Sequence, residues 1–255
     1  MKKLLELKQG NLSKILSVIS ILILIVFFNT INSNFISLYN IGNILMDISP
    51  LLVMAIGVSY VLFLASIDLS IGSIASCSAV MLTLLLEKMG PAAYAVVIAY
   101  GLLAGLLNGV LHAKLKVPSF IATLSTSSIW QSAAYLIAGG MPITMLPVVW
   151  PYVEWRKVSI GCVPLMFIFA VIMVIIYAVI QRSTVVGRTI LAVGSNERAA
   201  RLIGLDVAKA KIIAFVLSGL GAALGGIFFA VKLKSGIPTV GEQYTLMAIA
   251  SSVLG

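Results

Sequence analysis

The sequence predicts an all-α fold, a polytopic membrane bundle with about eight spans visible and the N-terminus in the cytoplasm. Composition is the first observation: 61% of the 255 residues are hydrophobic and 10% are charged, against about 25% charged in an ordinary soluble domain. Charge placement is the second. No charged residue falls in 15–46, 48–67, 69–86, 89–113, 117–153, 158–181 or 212–231, and about 20 apolar residues in a helix cross the hydrocarbon core. The third is the continuity of these runs, since a β-barrel would alternate in segments of about ten residues. The net charge of +9 lies in short loops between spans, so it reads as a positive-inside signal rather than a nucleic-acid footprint.

Spans are expected near 15–31, 48–66, 69–86, 92–113, 120–138, 163–181, 211–231 and 244–255, all within one transmembrane domain over 1–255. The apolar run 15–28 behind Lys2 and Lys3 could mimic a signal peptide, but no small-residue cleavage site follows Phe28, so it reads as a retained first span. Alternate loops then hold twelve Lys and Arg on the cytoplasmic side (Lys2, Lys3, Lys8, Lys14, Lys114, Lys116, Arg182, Arg188, Arg198, Arg201, Lys209, Lys211) and five outside (Lys88, Arg156, Lys157, Lys232, Lys234). That asymmetry orients the chain.

Gly101, Gly105 and Gly109 in the fourth span, and Gly221 with Gly225 in the seventh, repeat at four residues, spacing that lets helices approach closely in lipid. Residues 101–116 and 219–234 share seven identities in sixteen, and each ends in Lys-Leu-Lys. The expected topology runs these spans in opposite directions, the arrangement of an inverted repeat.

For an enzyme the polar inventory is thin. His112 is the sole histidine, Cys77 and Cys162 are far apart and read as packing residues, and no HExxH, GxSxG or P-loop pattern occurs. No metal, disulfide or cofactor is expected. Intramembrane carboxylates are functional candidates, which singles out Asp47 and Asp68. Asp47, just before Ser49-Pro50, reads as a helix start. Asp68, in Ala-Ser-Ile-Asp-Leu-Ser-Ile-Gly-Ser (65–73), has two readings. It caps the third helix at the membrane surface, or a helix breaks at membrane depth and Asp68, Ser70 and Ser73 face a polar pathway.

The segment 182–211 carries six basic residues and reads as a cytoplasmic loop. Within it, residues 194–204 predict a short helix: Ser195 or Asn196 as N-cap, Glu197 in the first turn, Gly204 as the stop. Two turns of helix are unstable alone in water, so the element needs a surface to dock on. Gly194, Asn196, Glu197, Ala199, Ala200 and Gly204 are the candidate residues for that contact.

These blocks resemble the permease subunits of ABC importers for ribose and related simple sugars. Ile67-Asp-Leu-Ser-Ile-Gly-Ser73 is similar to that family's IDLSxGS pattern. Asn108-Gly, 116–124 (Lys-Val-Pro-Ser-Phe-Ile-Ala-Thr-Leu), 139–143 (Gly-Gly-Met-Pro-Ile), Gly187-Arg and 194–204 look like its further blocks, in order. Ser119 stands where relatives often have a second Pro, and Leu205 where Ile is common. The resemblance implies a multi-pass protein of a prokaryotic inner membrane, set in lipid and paired with a second permease subunit, identical or paralogous. A separate cytoplasmic ABC ATPase would bind the 182–211 segment as its coupling loop and itself carry all ATP binding and hydrolysis, and an extracytoplasmic solute-binding protein would deliver sugar. Asn108 then joins Asp68, Ser70 and Ser73 on the expected translocation pathway. Such chains continue past a segment like 241–255, so the resemblance implies a C-terminal truncation. A branched-chain amino-acid or nucleoside permease is the alternative within the class, though the IDLSxGS block argues for sugars. An ion-coupled secondary transporter would need ionisable groups inside the bundle, where only Asp68 and Asp47 could serve.

Overall fold

A computed structural model describes residues 19–254. The basic N-terminal residues Lys2, Lys3, Lys8 and Lys14, the first four residues of the first expected span, and Gly255 lie outside the described residues. The helices are α1 (Ile19–Ile31), α2 (Leu38–Phe63), α3 (Ile71–Met89), α4 (Ala92–Ala113), α5 (Ser119–Ala138), α6 (Leu165–Ser183), α7 (Val185–Ser195), α8 (Glu197–Leu202), α9 (Val207–Leu233) and α10 (Glu242–Leu254). Two 3-10 turns, Pro147–Tyr152 and Glu154–Lys157, separate α5 from α6. Two-residue strands pair at the same end, β1 (Ile143–Thr144) with β4 (Ser235–Gly236) and β2 (Ser159–Ile160) with β3 (Val163–Pro164). The all-α membrane bundle is what the apolar runs predict. Five helices, α2, α3, α4, α6 and α9, are long and apolar enough to cross a membrane.

Among the described residues a helix lies at each expected span, although those at 15–31, 120–138 and 244–255 are not among the five able to cross, and α2 begins ten residues earlier than expected. Ser37 starts it by accepting a hydrogen bond from the Asn40 N–H at 3.2 Å. The helix runs through Pro50, where the Ser49 hydroxyl donates to the Leu45 carbonyl. Neighbouring helices and such local hydrogen bonds make a proline tolerable inside a membrane helix. Asp47 is therefore a mid-helix residue, not the helix start that Ser49-Pro50 suggested, and its carboxylate pairs with Lys232 at the end of α9, 2.7 Å away.

The core forms where α2, α3 and α4 surround α9. Gly105 meets the backbone of Phe215 and Val216, Gly109 that of Ile212, and Gly219 that of Gly101. Rising numbers on α4 meet falling numbers on α9, so the two glycine-bearing helices are antiparallel, with backbones in direct contact as small residues permit. Gly57 and Gly221 make the same close approach between α2 and α9. α3 runs parallel to α9, with Gly226 beside Ala75 and Ser78, and is the most buried of the five long apolar helices.

Candidate functional site

Two non-helical segments interrupt the bundle, and the notable polar groups collect around them. The first joins α2 to α3. Its residue Ala65 has φ +52°, and Asp68, although in a connection, is fully buried. A buried carboxylate needs donors on each oxygen. One oxygen accepts from the Ser70 N–H at 2.9 Å and the Ser70 hydroxyl at 2.6 Å, and the other from the Ser218 hydroxyl on α9 at 2.7 Å. The Ser70 oxygen in turn accepts from the Asn108 amide on α4 at 2.7 Å, and the Asn108 carbonyl from the Thr126 hydroxyl on α5 at 2.6 Å. The Ser73 hydroxyl donates to the Ser70 carbonyl at 2.8 Å. The backbone is held as well: the Ile67 N–H donates to the Ser119 oxygen and the Leu69 N–H to the Thr123 oxygen. Asp68, Ser70, Ser73 and Asn108 are thus brought together in one network that also ties down α5 and α9.

Asp68, Ser70 and Asn108 have no accessible surface. Every polar group of the Asp68 carboxylate is satisfied inside this one chain, and the helix break lies well inside the bundle, opposite Ser218, the twelfth residue of α9. Asp68 therefore does more than cap α3 at a surface, and Ser70, the residue before α3, makes no side-chain capping bond. Of the four, Ser73 borders a polar pocket between α3, α5 and α10. Sequence reasoning missed Ser218, Thr123 and Thr126, hydroxyls in otherwise apolar runs whose only signal was their polarity at membrane depth. His112 sits beside the same break, its ring nitrogens 2.9 Å from the Val117 carbonyl and 3.4 Å from the Ser66 hydroxyl.

The second segment, 234–241, follows α9. Gly236 lies against Val80 and Thr83, and Gly241 against Gly72, with the Gly241 N–H on the Ser76 hydroxyl at 2.9 Å. The chain thus turns back along α3 and α10 starts beside the first turn of α3. Irregular backbone at membrane depth is tolerated where protein or a water-filled cavity surrounds it.

At the opposite end from β1 and β4, the 182–211 segment is more ordered than a loop. The Thr184 oxygen caps α7 by accepting from the Gly187 N–H. Asn196 is the N-cap of α8, accepting from the Ala199 N–H at 2.9 Å. Glu197 pairs with Lys211 at 2.8 Å and Arg201 at 3.0 Å. The Lys211 ammonium first, and Arg201 after it, hold the Glu197 carboxyl below its usual range. Gly204 has φ +81°, as expected of the stop. Two candidates are turned inward: Ala200 is packed in the chain's own core, and Gly194 sits on the backbone of Phe63 and Leu64. The outward face carries Asn196, Glu197, Arg198 and Ala199, and ends on Leu202 and Ile203, 82% and 75% exposed. Those two apolar residues were not singled out from the sequence.

The permease family described as "Branched-chain amino acid transport system / permease component" matches residues 40–255. The chain is 35% identical to the ribose import permease protein RbsC of Haemophilus influenzae, over 94% of this chain and 75% of that protein. It is 31% identical to the ribose import permease protein RbsC of Bacillus subtilis, over 97% and 77%. It is 32% identical to the autoinducer 2 import system permease protein LsrC of Escherichia coli, over 99% and 73%. No solved structure matches the chain.

Proposed function

The chain belongs to this permease family, and from that premise we propose that it is the membrane-spanning subunit of an ATP-driven importer for a sugar or similarly hydroxylated solute. The observation that carries the reading is the family match from residue 40 to 255. Individual relatives at 31–35% identity are ribose and autoinducer 2 import permeases, so sugars come before the amino acids in the family's description. Our reading places the N-terminus and α8 in the cytoplasm of a bacterial inner-membrane protein.

In this reading the parts divide the work. The sequence has no P-loop, so ATP is bound and hydrolysed by a separate ATPase. That subunit docks on the outward face of α8, where Leu202 and Ile203 offer an apolar foot beside the charges of Glu197 and Arg198. A hydrophobic residue at the centre of a polar rim is the usual anchor of such a contact. The Asp68 network holds α3, α4, α5 and α9 in register next to the pathway. A second permease copy or paralogue closes the other side, and an extracytoplasmic binding protein supplies the solute.

The test is uptake by proteoliposomes holding the permease with its co-purifying ATPase and binding protein. ATP inside the vesicles should drive accumulation of radiolabelled ribose or autoinducer 2. Accumulation that follows an imposed proton or sodium gradient and ignores ATP would overturn the reading.

A further inference from the structure

α5 is 20 residues long, enough to span, yet it is not among the helices apolar enough to cross a membrane. The reason lies in its middle, where Ser125, Ser127, Ser128, Gln131 and Ser132 interrupt the apolar run. Ser125, Ser128 and Ser132 are exposed on the surface of this chain. Hydroxyls at mid-membrane are poorly placed against hydrocarbon and better placed against water or a polar solute.

The returning segment 234–241 brings a second set of polar groups to the same place. It delivers the start of α10 beside α3, with Glu242 in the first turn. Ser73, Ser127, Ser128, Gln131, Glu242 and Thr245 together line a pocket of about 290 Å³, at the low end of the ~300–1,000 Å³ typical of small-molecule sites. Two groups there have unmet bonding capacity. Gln131 donates its amide to the Pro238 carbonyl at 2.8 Å, while its carbonyl oxygen is buried without a partner among the described residues. No cation lies within ion-pair distance of Glu242 among the described residues.

We propose that this pocket between α3, α5 and α10 is where the transported solute contacts this chain, and that it selects an uncharged polyhydroxylated molecule. The proposal rests on the permease reading above and adds to it the location of the contact. The chemistry sets the class. Three serines, a threonine, an amide and a carboxylate offer both donors and acceptors to hydroxyl groups. Glu242 disfavours an anion such as a sugar phosphate, because its charge opposes the positive N-terminal end of α10 that would otherwise attract one.

The experiment uses the full chain in vesicles with its ATPase and binding protein, in a Cys77→Ala, Cys162→Ala background. Single variants Ser128→Cys and Thr245→Cys are exposed to a hydrophilic, membrane-impermeant thiosulfonate, with Ile176→Cys on the outward face of α6 as the lipid-facing control. The pocket positions should react about tenfold or more faster than the control, since thiolate forms only where water reaches. In uptake of radiolabelled ribose, Glu242→Gln should raise KM about tenfold, the loss of one charge-assisted hydrogen bond, with kcat little changed. Labelling no faster than the control overturns the proposal, as does a disulfide-linked dimer through Ser128→Cys without labelling, which would make this face a permease–permease contact. Fast labelling with an unchanged KM overturns it too. ATP-driven uptake with a dry pocket sinks the pocket alone, whereas absence of ATP-driven uptake in the wild type sinks the permease reading.

Discussion

Asp68 shows why a single buried carboxyl can hold several helices. Its oxygens accept three hydrogen bonds, two from Ser70 and one from Ser218, and a fully satisfied polar network in a dry interior rigidifies the elements it joins. Asp68→Ala would leave three buried donors unpaired, each costing on the order of 1–3 kcal/mol. Asp68→Asn keeps one carbonyl acceptor for Ser70, and the Ser218 hydroxyl can turn to accept from the new amide. The expected outcome is a marked fall in thermal stability of the detergent-solubilised protein for Asp68→Ala and a smaller one for Asn. Equal midpoints for both variants and the wild type would show that the network does not brace the fold.

At the scale of the element, α8 is six residues long and too short to persist alone, so its caps and ion pairs decide whether it is present. Gly204 holds φ +81° in open space, a conformation that costs a residue with a side chain about 1–2 kcal/mol. Gly204→Val meets no steric neighbour, so the strain should fray the end of α8 and leave the bundle inserted. We expect normal membrane yield with reduced ATPase recovery on the tagged permease; unchanged recovery would remove Gly204 from the coupling role. Acid acts on the other end of the helix. The folded carboxyl of Glu197 titrates below the ordinary value of 4.5 because Lys211 and Arg201 bind it. Its contribution is therefore complete above that value and is lost as pH falls through the lowered one. The protection of α8 amides, taken relative to their intrinsic exchange rate at each pH, should be flat from neutrality down to about pH 5 and fall below pH 4.5 in the wild type, while Glu197→Gln shows no such acid step. The effect is small, because the side chain is 44% exposed and such pairs contribute ~0–1 kcal/mol.

Over the whole molecule, the direction of the helices makes a claim about sides. α4 and α9 are antiparallel, and α3 is parallel to α9, so the ends carrying Lys88 and Lys232 fall together, away from α7 and α8. Ser195 at the end of α7 and Ser159 in β2 are both exposed and mark the two sides. In the background without Cys77 and Cys162, Ser195→Cys should react with an impermeant thiol reagent only in inside-out vesicles, and Ser159→Cys only in intact spheroplasts. The reverse pattern would invert the orientation proposed here and place α8 out of reach of a cytoplasmic ATPase.

The sequence by itself determined the class of the molecule, the approximate position of its apolar helices, the short helix with its Asn196 cap and Gly204 stop, and the family. All of these follow from local information: runs of apolar residues, spacing of small ones, and short motifs read in order. It misjudged Asp47, because Pro50 locally resembles a helix start while the preceding apolar turns and neighbouring helices carry α2 straight through it. Only the tertiary structure decided that Asp68, Ser70, Asn108, Thr126 and Ser218 form one network, since those residues come from the α2–α3 break, α4, α5 and α9. It alone turned Ala200 inward and left Leu202 and Ile203 outside, and it alone carried residues 234–241 back along α3, so that Glu242 lines one pocket with Ser73 and Gln131. A side chain's polarity is written in the sequence, but whether it meets a partner, lipid or water depends on which distant helix arrives beside it.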